Sequence, residues 1–179
     1  MICRKTGKST KESLSLISSS QLSLASDDEV KALKILLAYQ FGKGADATLN
    51  GEVKIRRSSS TGRVREVYLG DSLIGTVRAT DGFFVPTLRG AELLVKNVPF
   101  PNFRVVVQEE VKDFVAKGRS VFCKHVVYAD PEIRPGEEVF IVDKEGGLVA
   151  MGRAVVSGST MNSKKTGVAV KVRKGIKNK

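Results

Sequence analysis

Apolar residues recur at helical spacing between Val30 and Leu37, and this pattern predicts the first helix of the chain. Ser26 is a favourable N-cap residue, and the three acidic residues that follow it suit the positive end of a helix dipole. The helix is expected to end near Phe41, where the glycines of "FGKGA" interrupt the pattern. Residues 1–26, rich in serine and lysine, show neither a helical nor a strand period and are predicted to form a poorly ordered arm.

Alternation of apolar and polar residues replaces the helical pattern from Val53 onward. Three alternating stretches, "EVKIRRS", "VREVYLG" and "LIGTVRA", are separated by short glycine-containing turns and are predicted to be strands. A fourth, short strand is expected at 83–87, where Pro86 favours a sheet edge. A helix is predicted over "TLRGAELLVK". Together these elements predict a small α+β domain over residues 27–101, and the prolines of "PFPNF" mark its end.

The remaining residues, 102–179, are dominated by short apolar stretches. "RVVVQ" is predicted to be a strand, about Glu109 to Ala116 an amphipathic helix, and "SVFCKHVVYAD" the next strand. Two alternating stretches joined by a glycine pair follow, and "TGVAVKVRKG" adds a further strand. Many short strands with glycine-rich turns and one helix indicate a compact β pseudo-barrel. The predicted fold class is therefore α+β, with a small α+β N-terminal domain followed by a mixed β pseudo-barrel.

The charge balance indicates which kind of partner the protein binds. The chain carries 30 Lys and Arg residues against 19 Asp and Glu residues, which gives a net charge of +11 and a pI near 9.8. Such an excess favours polyanionic partners, either nucleic acid or an acidic membrane surface. From Ser157 onward there are seven cations and no acid, and Lys171 and Arg173 are candidate RNA-binding residues in this patch. The cations from Lys174 onward also fit a solvated basic tail.

Few residues offer catalytic or metal-binding chemistry. Cys3 and Cys123 are too few and too far apart for a disulfide framework or a four-ligand zinc site, and Cys123 is expected to be a small buried hydrophobe. The single histidine, His125, has no nucleophile or acid at triad spacing and is expected to be structural. The sequence also lacks paired carboxylates at catalytic spacing and a P-loop, so no catalytic residue, metal or cofactor is predicted. No apolar stretch approaches the about 20 residues of a membrane span, so we expect a soluble cytoplasmic protein.

A cationic turn joins the predicted helix at Glu109–Ala116 to the strand that follows it. Gly118 suits the positive φ that often follows a helix C-terminus. Lys117 can offset the negative end of the helix dipole. These two residues are explained by helix capping, and they are equally placed to contact an anion. The local sequence leaves both interpretations open.

The stretch "DPEIRPGEEVFIVDKEGGLVAMGRAVVSG", residues 130–158, has a specific order of parts: an acidic residue before a strand, an Arg-Pro-Gly-Glu turn, a glycine and then "MGRAVVS". Together with "GVAVKVRKG" further on, it resembles a PUA domain, the small RNA-binding pseudo-barrel of pseudouridine synthases and archaeosine transglycosylases. Upstream, "YQFGKGA", "STGRVREVYLGDSLIGTVRATDGFFVPTLRGAELL" and "FRVVV" resemble the small domain that precedes the PUA domain in archaeal tRNA-guanine transglycosylase. The two resemblances leave only the N-terminal arm without a counterpart.

The resemblance to PUA domains implies an RNA groove at the helix-to-strand turn and just after it. The residues at these positions are Lys117, Gly118, Arg119, Ser120 and Val121, with Lys124 further along the predicted strand. A glycine would let an RNA backbone approach closely, the guanidinium of Arg119 has the shape of a phosphate-binding fork, and Ser120 adds neutral hydrogen bonds. Arg153 in "MGRAVVS" is a further candidate, which fits either an RNA contact or an ion pair with Asp130 or Glu132.

The resemblance implies a non-catalytic RNA-binding protein that recognises tRNA through its acceptor stem and 3′ end. The barrel that carries the catalytic aspartates and the zinc site of the transglycosylase has no counterpart in this sequence. The chain is therefore expected to act as a detached RNA-binding subunit beside a catalytic transglycosylase partner. Two alternatives stay open: a ribosome-biogenesis factor that binds rRNA, and a tRNA-modifying enzyme in its own right.

Overall fold

The computed structural model describes residues 22–177, and its N-terminal part is a five-stranded antiparallel sheet packed against two helices. The strands, which lie in sequence order, are β1 (Leu22–Leu24), β2 (Val53–Arg57), β3 (Val64–Leu69), β4 (Ser72–Val77) and β5 (Phe84–Pro86). The helices are α1 (Asp27–Phe41) and α2 (Leu88–Asn97), and a 3₁₀ turn spans Ala45–Leu49. Residues 1–21 of the predicted arm lie outside the described residues, whereas the end of that arm forms β1 and pairs with β2.

Helix α1 begins at the predicted N-cap. The Ser26 hydroxyl accepts a hydrogen bond from the Glu29 N–H at 3.4 Å, and the Ser26 N–H donates to the Glu29 carboxylate at 3.0 Å. This reciprocal capping box fixes the start of the helix. Leu33, Leu37 and Phe41 are buried along one face, and the helix ends at Phe41 as predicted.

The C-terminal part is a six-stranded, barrel-like sheet. Its strands are β6 (Arg104–Val107), β7 (Val121–Phe122), β8 (Val126–Ala129), β9 (Glu138–Val142), β10 (Leu148–Ala154) and β11 (Val168–Gly175), and its helices are α3 (Glu109–Ala116) and α4 (Gly158–Ser163). The strand order is β7-β11-β10-β9-β6-β8, with β6 parallel to β9 and the other neighbours antiparallel. With the N-terminal part, this sheet confirms the predicted α+β class with a mixed β pseudo-barrel.

The prediction of one continuous strand over "SVFCKHVVYAD" is wrong. β7 gives way to a 3₁₀ turn at Cys123–His125 before β8 begins, so Lys124 lies on a turn rather than on a strand. Cys123 is buried, as predicted, and packs in the core of the barrel-like sheet. His125 Nδ1 lies 3.2 Å from Gln108 Oε1, a contact between two segments that supports a structural role.

Helix α4 is a second element that the sequence analysis did not predict, because its serine-rich sequence is typical of a turn. The Ser157 hydroxyl accepts a hydrogen bond from the Thr160 N–H at 3.3 Å and caps the helix. Met161 is fully buried in the core of the barrel-like sheet. The side chain of Asn162 binds the main chain of Ala129 through two hydrogen bonds of 2.8 Å, which attach α4 to β8.

The N-terminal part and the barrel-like sheet share a hydrophobic core. Val139 and Ile141 of β9 pack in the core of the barrel-like sheet, whereas Phe140, on the other face, packs against the N-terminal part. Phe140 is paired with Met151 of β10, and its ring centroid lies 5.6 Å from that of Phe41. The two parts are therefore held together by buried apolar contacts between a helix of one and the sheet of the other.

Candidate nucleic-acid interface

The turn between α3 and β7 has the geometry of a glycine-terminated helix. Gly118 takes a φ of 91°, in the left-handed region, and its N–H donates to the Val115 carbonyl at 2.8 Å. The Arg119 N–H donates to the Phe114 carbonyl at 3.1 Å. Main-chain groups therefore satisfy both carbonyls, and the side chains of Lys117 and Arg119 are not needed to cap them.

The side chains of this turn differ in what they can offer a ligand. Lys117 and Arg119 are exposed, and Ser120 is half-buried. Val121 is 1% exposed and packs in the core of the barrel-like sheet, so only its main chain is available at the surface. Lys124 is exposed on the 3₁₀ turn just beyond β7.

Two of the predicted site residues lie side by side on neighbouring strands, and a third lies just before the next strand, β7. Lys171 of β11 is directly opposite Arg153 of β10, and both are exposed. On the other side of β11, Val170 pairs with Val121, so antiparallel register brings Ser120 next to Lys171. Adjacent strands are separated by about 4.8 Å, so this basic row of Ser120, Lys171 and Arg153 spans about 10 Å. The row links the α3–β7 turn to the middle of the sheet.

Arg153 makes neither of the ion pairs considered from the sequence. Its Nε donates to the Gly136 carbonyl at 2.7 Å, in the turn that precedes β9. The carboxylate of Asp130 instead accepts main-chain hydrogen bonds from Phe103 at 2.9 Å and Glu132 at 3.0 Å. The guanidinium of Arg153 therefore keeps most of its donors free at an exposed position.

Arg173 is engaged by a buried acid. It is the extra residue of a β-bulge in β11 opposite Met151 and Gly152, and bulges redirect side chains. Its guanidinium lies 3.1 Å from Oε1 of Glu138, whose side chain is 2% exposed. Of the predicted cations of the site, Arg173 is thus partly neutralised within the fold.

Glu138 itself lies opposite Arg153 on β9 and extends the line of the basic row by one strand. Neither of its carboxylate oxygens has a hydrogen-bond partner of good geometry among residues 22–177. Burial raises the pKa of Glu138 above its usual range, and the nearby charges of Arg173, Arg78 and Arg153 oppose that rise. A buried acid with such incomplete pairing is costly to a fold and is typical of functional sites.

A cavity of about 600 Å³ lies between the N-terminal part and the barrel-like sheet, beside the contact of Phe41 with Phe140. Its aromatic lining comes from Tyr39, Phe41, Phe83 and Phe103. Its charged lining comes from Arg78, Asp81, Glu132, Arg134, Glu137, Glu138 and Arg153. The cavity therefore adjoins the basic row at Arg153 and has Glu138 in its wall.

Neither Glu138 nor Arg78 was predicted as a site residue from the sequence. The sequence does contain one signal for Glu138. It is the first residue of "EVFIV" and lies two positions before Phe140, so both side chains occupy the same buried face of β9. An acid on a buried face indicates a specific partner. The partner itself depends on the bulge in β11 and on the packing of the N-terminal part, which local patterns do not encode.

Two absences hold for residues 22–177. No three His, Cys, Asp or Glu side chains in this part of the chain are grouped so that they could hold a metal ion. Within the same residues, no helix has the length and apolar character needed to cross a membrane.

Comparison with known families divides the chain into two matched regions. Residues 103–176 match the PUA domain, and residues 31–101 match the patch-forming domain C2 of tRNA-guanine transglycosylase. Several curated relatives carry the name tRNA-guanine(15) transglycosylase. The protein of Methanobrevibacter smithii is 42% identical over 151 residues, which cover 84% of this chain and 23% of that protein. The protein of Pyrococcus abyssi is 42% identical over 151 residues, which cover 84% of this chain and 25% of that protein.

Two solved structures are similar to this fold. A hypothetical protein of Pyrococcus horikoshii is similar with a TM-score of 0.70 and 25% identity, over 89% of this chain and 96% of that one. A conserved PUA domain protein of Thermoplasma acidophilum is similar with a TM-score of 0.60 and 17% identity, over 87% of this chain and 93% of that one. The chain spans about a quarter of the length of the curated relatives described above. With a C2 patch-forming domain followed by a PUA domain, the chain is a relative of the C-terminal part of the archaeal tRNA-guanine transglycosylases.

Proposed function

We propose that this chain is a non-catalytic RNA-binding protein of tRNA modification and that it holds tRNA by the acceptor stem and the 3′ end. The PUA match and the names of the relatives support this proposal. In it, residues 27–101 and 102–179 are the two functional domains, and the protein works in the cytoplasm. The proposal depends most on the distribution of unpaired positive charge.

Four exposed cations near the α3–β7 turn carry the proposal: Lys117, Arg119, Lys124 and Lys171. None of the four has an ion-pair partner within residues 22–177. Eight other cations of the same residues do have an acidic partner, as in the pairs of Lys112 with Asp143 at 2.8 Å and Lys177 with Asp113 at 2.7 Å. Unmatched cations around one turn form a surface that attracts phosphate groups.

Each residue of the site has a distinct role in this proposal. Arg119 binds a phosphate with its planar donor fork, and Lys124 and Lys171 supply point charges. Gly118 lets the RNA backbone come close, while Ser120 and the main chain of Val121 offer neutral hydrogen bonds. Lys117, Arg153 and Arg173 complete the set, and Arg173 contributes least because Glu138 partly neutralises it.

We further propose that the catalytic step is supplied by a separate transglycosylase chain. The matched relatives carry the name of the enzyme, and this chain corresponds to about a quarter of their length. In this arrangement the chain presents the tRNA, and its partner exchanges the base.

Binding of two tRNA forms tests the proposal. The affinity of the purified protein is measured by fluorescence anisotropy for an intact tRNA and for the same tRNA without its 3′ CCA, in the presence and absence of an rRNA competitor. Arg119→Ala is compared with Arg89→Ala, a matched control in which the lost arginine is paired with Glu92 at 3.0 Å on α2. We expect intact tRNA to bind more tightly than trimmed tRNA, and Arg119→Ala alone to weaken both.

Three results would contradict the proposal. Equal affinity for both tRNA forms would remove the 3′ end from the site. Stronger binding to rRNA than to tRNA would favour a ribosome-biogenesis factor. Exchange of a tRNA base by the purified chain alone would make it an enzyme in its own right.

A further inference from the structure

The cavity between the two parts of the chain contains polar groups whose pairing within the fold is incomplete. Both carboxylate oxygens of Glu138 and the Nε–H of Arg78 are buried and lack a hydrogen-bond partner among residues 22–177. Oε1 of Glu138 has the ion pair with Arg173 at 3.1 Å, which leaves Oε2 as the less satisfied of the two oxygens. Glu138 and Arg78 both line the cavity. A buried polar group without a partner costs free energy, so these groups indicate a ligand that completes them.

The arrangement of these groups restricts the chemistry of that ligand. An ionised carboxylate only accepts hydrogen bonds, whereas Nε–H of arginine only donates. A ligand that completes these groups presents hydrogen-bond donors to the carboxylate and an acceptor to Arg78. The charges of the lining agree, because Asp81, Glu132, Glu137 and Glu138 outnumber the arginines 78, 134 and 153 in a chain whose net charge is +11. The cavity thus favours hydrogen-bond donors, not phosphate.

We propose that this cavity binds the base of an unpaired guanine nucleotide, with Glu138 accepting from the N1–H and N2 amino groups and Arg78 donating to O6. The Watson–Crick edge of guanine carries two donors beside one acceptor, and unstacked bases in RNA are commonly recognised on that edge. This inference rests on the proposed RNA-binding function and adds a base-specific contact to it.

The shape of the cavity suits a nucleotide. Its volume of about 600 Å³ lies within the range of small-molecule sites. Phe83 is 37% exposed and Tyr39 is 80% exposed, so both offer ring faces on which a base can stack. Arg78 already lies over the Phe83 ring, with its Cζ 5.7 Å from the ring centroid.

Access to Glu138 requires the movement of a side chain. Its carboxylate oxygens are shielded from solvent. Arg134 is exposed and lines the same cavity, so its side chain can move aside, whereas Arg153 is held by its hydrogen bond to the Gly136 carbonyl. Arg173 stays 3.1 Å from Oε1, and the entering base approaches the carboxylate from the cavity.

Isothermal titration calorimetry with the full chain tests the inference. The probes are guanosine, inosine and adenosine 5′-monophosphates at millimolar concentration. Inosine lacks only the N2 amino group, so we expect it to bind at least about fivefold more weakly than guanosine, the lower limit for loss of one good base contact. This comparison uses the unaltered protein and does not depend on the folding of a variant.

Two matched variants locate the contact. Glu138→Gln removes the carboxylate with little change in shape and is expected to reduce the preference for guanosine over inosine towards one. Glu145→Gln changes charge equally in the exposed β9–β10 turn and should retain the preference. Tyr39→Ala should weaken all three nucleotides by similar factors because stacking does not depend on the base edge.

The outcomes separate this inference from the proposed function. Equal binding of guanosine and inosine, or a preference that survives Glu138→Gln, would overturn the guanine site. If tRNA binding and its dependence on Arg119 persist in that case, the RNA-binding proposal still stands. If guanosine is selected by Glu138 while tRNA does not bind, the cavity is a nucleotide site and the RNA-binding proposal fails.

Discussion

Replacement of Arg119 by alanine should change how RNA affinity depends on salt. Each phosphate that a protein cation neutralises releases counterions, so the logarithm of the binding constant falls linearly with the logarithm of salt concentration. The slope is about −0.9 per contact for a duplex and about −0.7 for a single strand. Removing one contact should therefore make the slope shallower by about 0.7 to 0.9.

The structure sets the size of the effect in the unaltered protein. If the four unpaired cations Lys117, Arg119, Lys124 and Lys171 each contact a phosphate, the slope lies between about −2.8 and −3.6. Affinity should then fall roughly 50- to 150-fold between 50 and 200 mM salt. Arg153 and Arg173 are excluded from this count because each is already engaged within the protein.

Anisotropy titrations of labelled tRNA at four or more salt concentrations measure the slope. Arg89→Ala provides the matched loss of one arginine, since Arg89 lies on α2 and is paired with Glu92. A slope near zero for the unaltered protein would refute the argument from unpaired charge. An equal change of slope in both variants would show that the effect follows net charge and not the α3–β7 turn.

Three further predictions concern the elements that support the site. Gly118→Ala should lower the free energy of unfolding, measured by urea denaturation, by about 1–2 kcal/mol, because Gly118 has a φ of 91°; an unchanged stability would contradict the need for glycine there. Gly158→Ala should lower the free energy of unfolding, measured by thermal unfolding, by about 1–3 kcal/mol or more, because the new Cβ would lie 1.8 Å from the Asp130 carbonyl oxygen. Unchanged stability would mean that α4 can shift to make room for the Cβ. The pKa of Glu138 is raised by burial, so the stability due to its protonated form is present at low pH and is lost as pH rises from the unfolded value of 4.5 through the folded pKa. The stability of Glu138→Gln relative to the wild type should therefore increase as the pH rises through this range, by about 1.4 kcal/mol per unit of pKa shift. The unfolding free energies of both proteins are measured from pH 4 to pH 8. A difference between them that does not change with pH would count against the buried charge.

Local patterns predicted much of the fold because local interactions form those elements. The start of α1 follows from hydrogen bonds between Ser26 and Glu29, three residues apart. The break between β7 and β8 escaped the same reasoning, since "VFCKHVV" keeps a strand-like composition through its 3₁₀ turn. Helix α4 depends on the burial of Met161, a tertiary contact that its serine-rich sequence does not indicate.

The candidate site also has parts that local sequence patterns predict and parts that they do not. The geometry of Gly118 was predictable because a helix C-terminus and its glycine are neighbours in sequence. The proximity of Arg173 to Glu138 was not, because a bulge in β11 directs one side chain across the sheet toward a residue 35 positions earlier. The RNA contacts of the turn itself stay predictions.

The turn and the cavity have complementary tasks if both proposals hold. Phosphate contacts supply affinity and salt dependence, whereas base contacts supply sequence preference. The shared packing of Phe41 with Phe140 fixes the two sites relative to each other, so a bound RNA must place an unpaired nucleotide at a set distance from the phosphates at Arg119. The CCA end contains no guanine, so the base in the cavity must come from another unpaired position of the RNA. Loss of CCA and loss of the Glu138 carboxylate therefore remove different contacts, and their effects on the binding free energy should add.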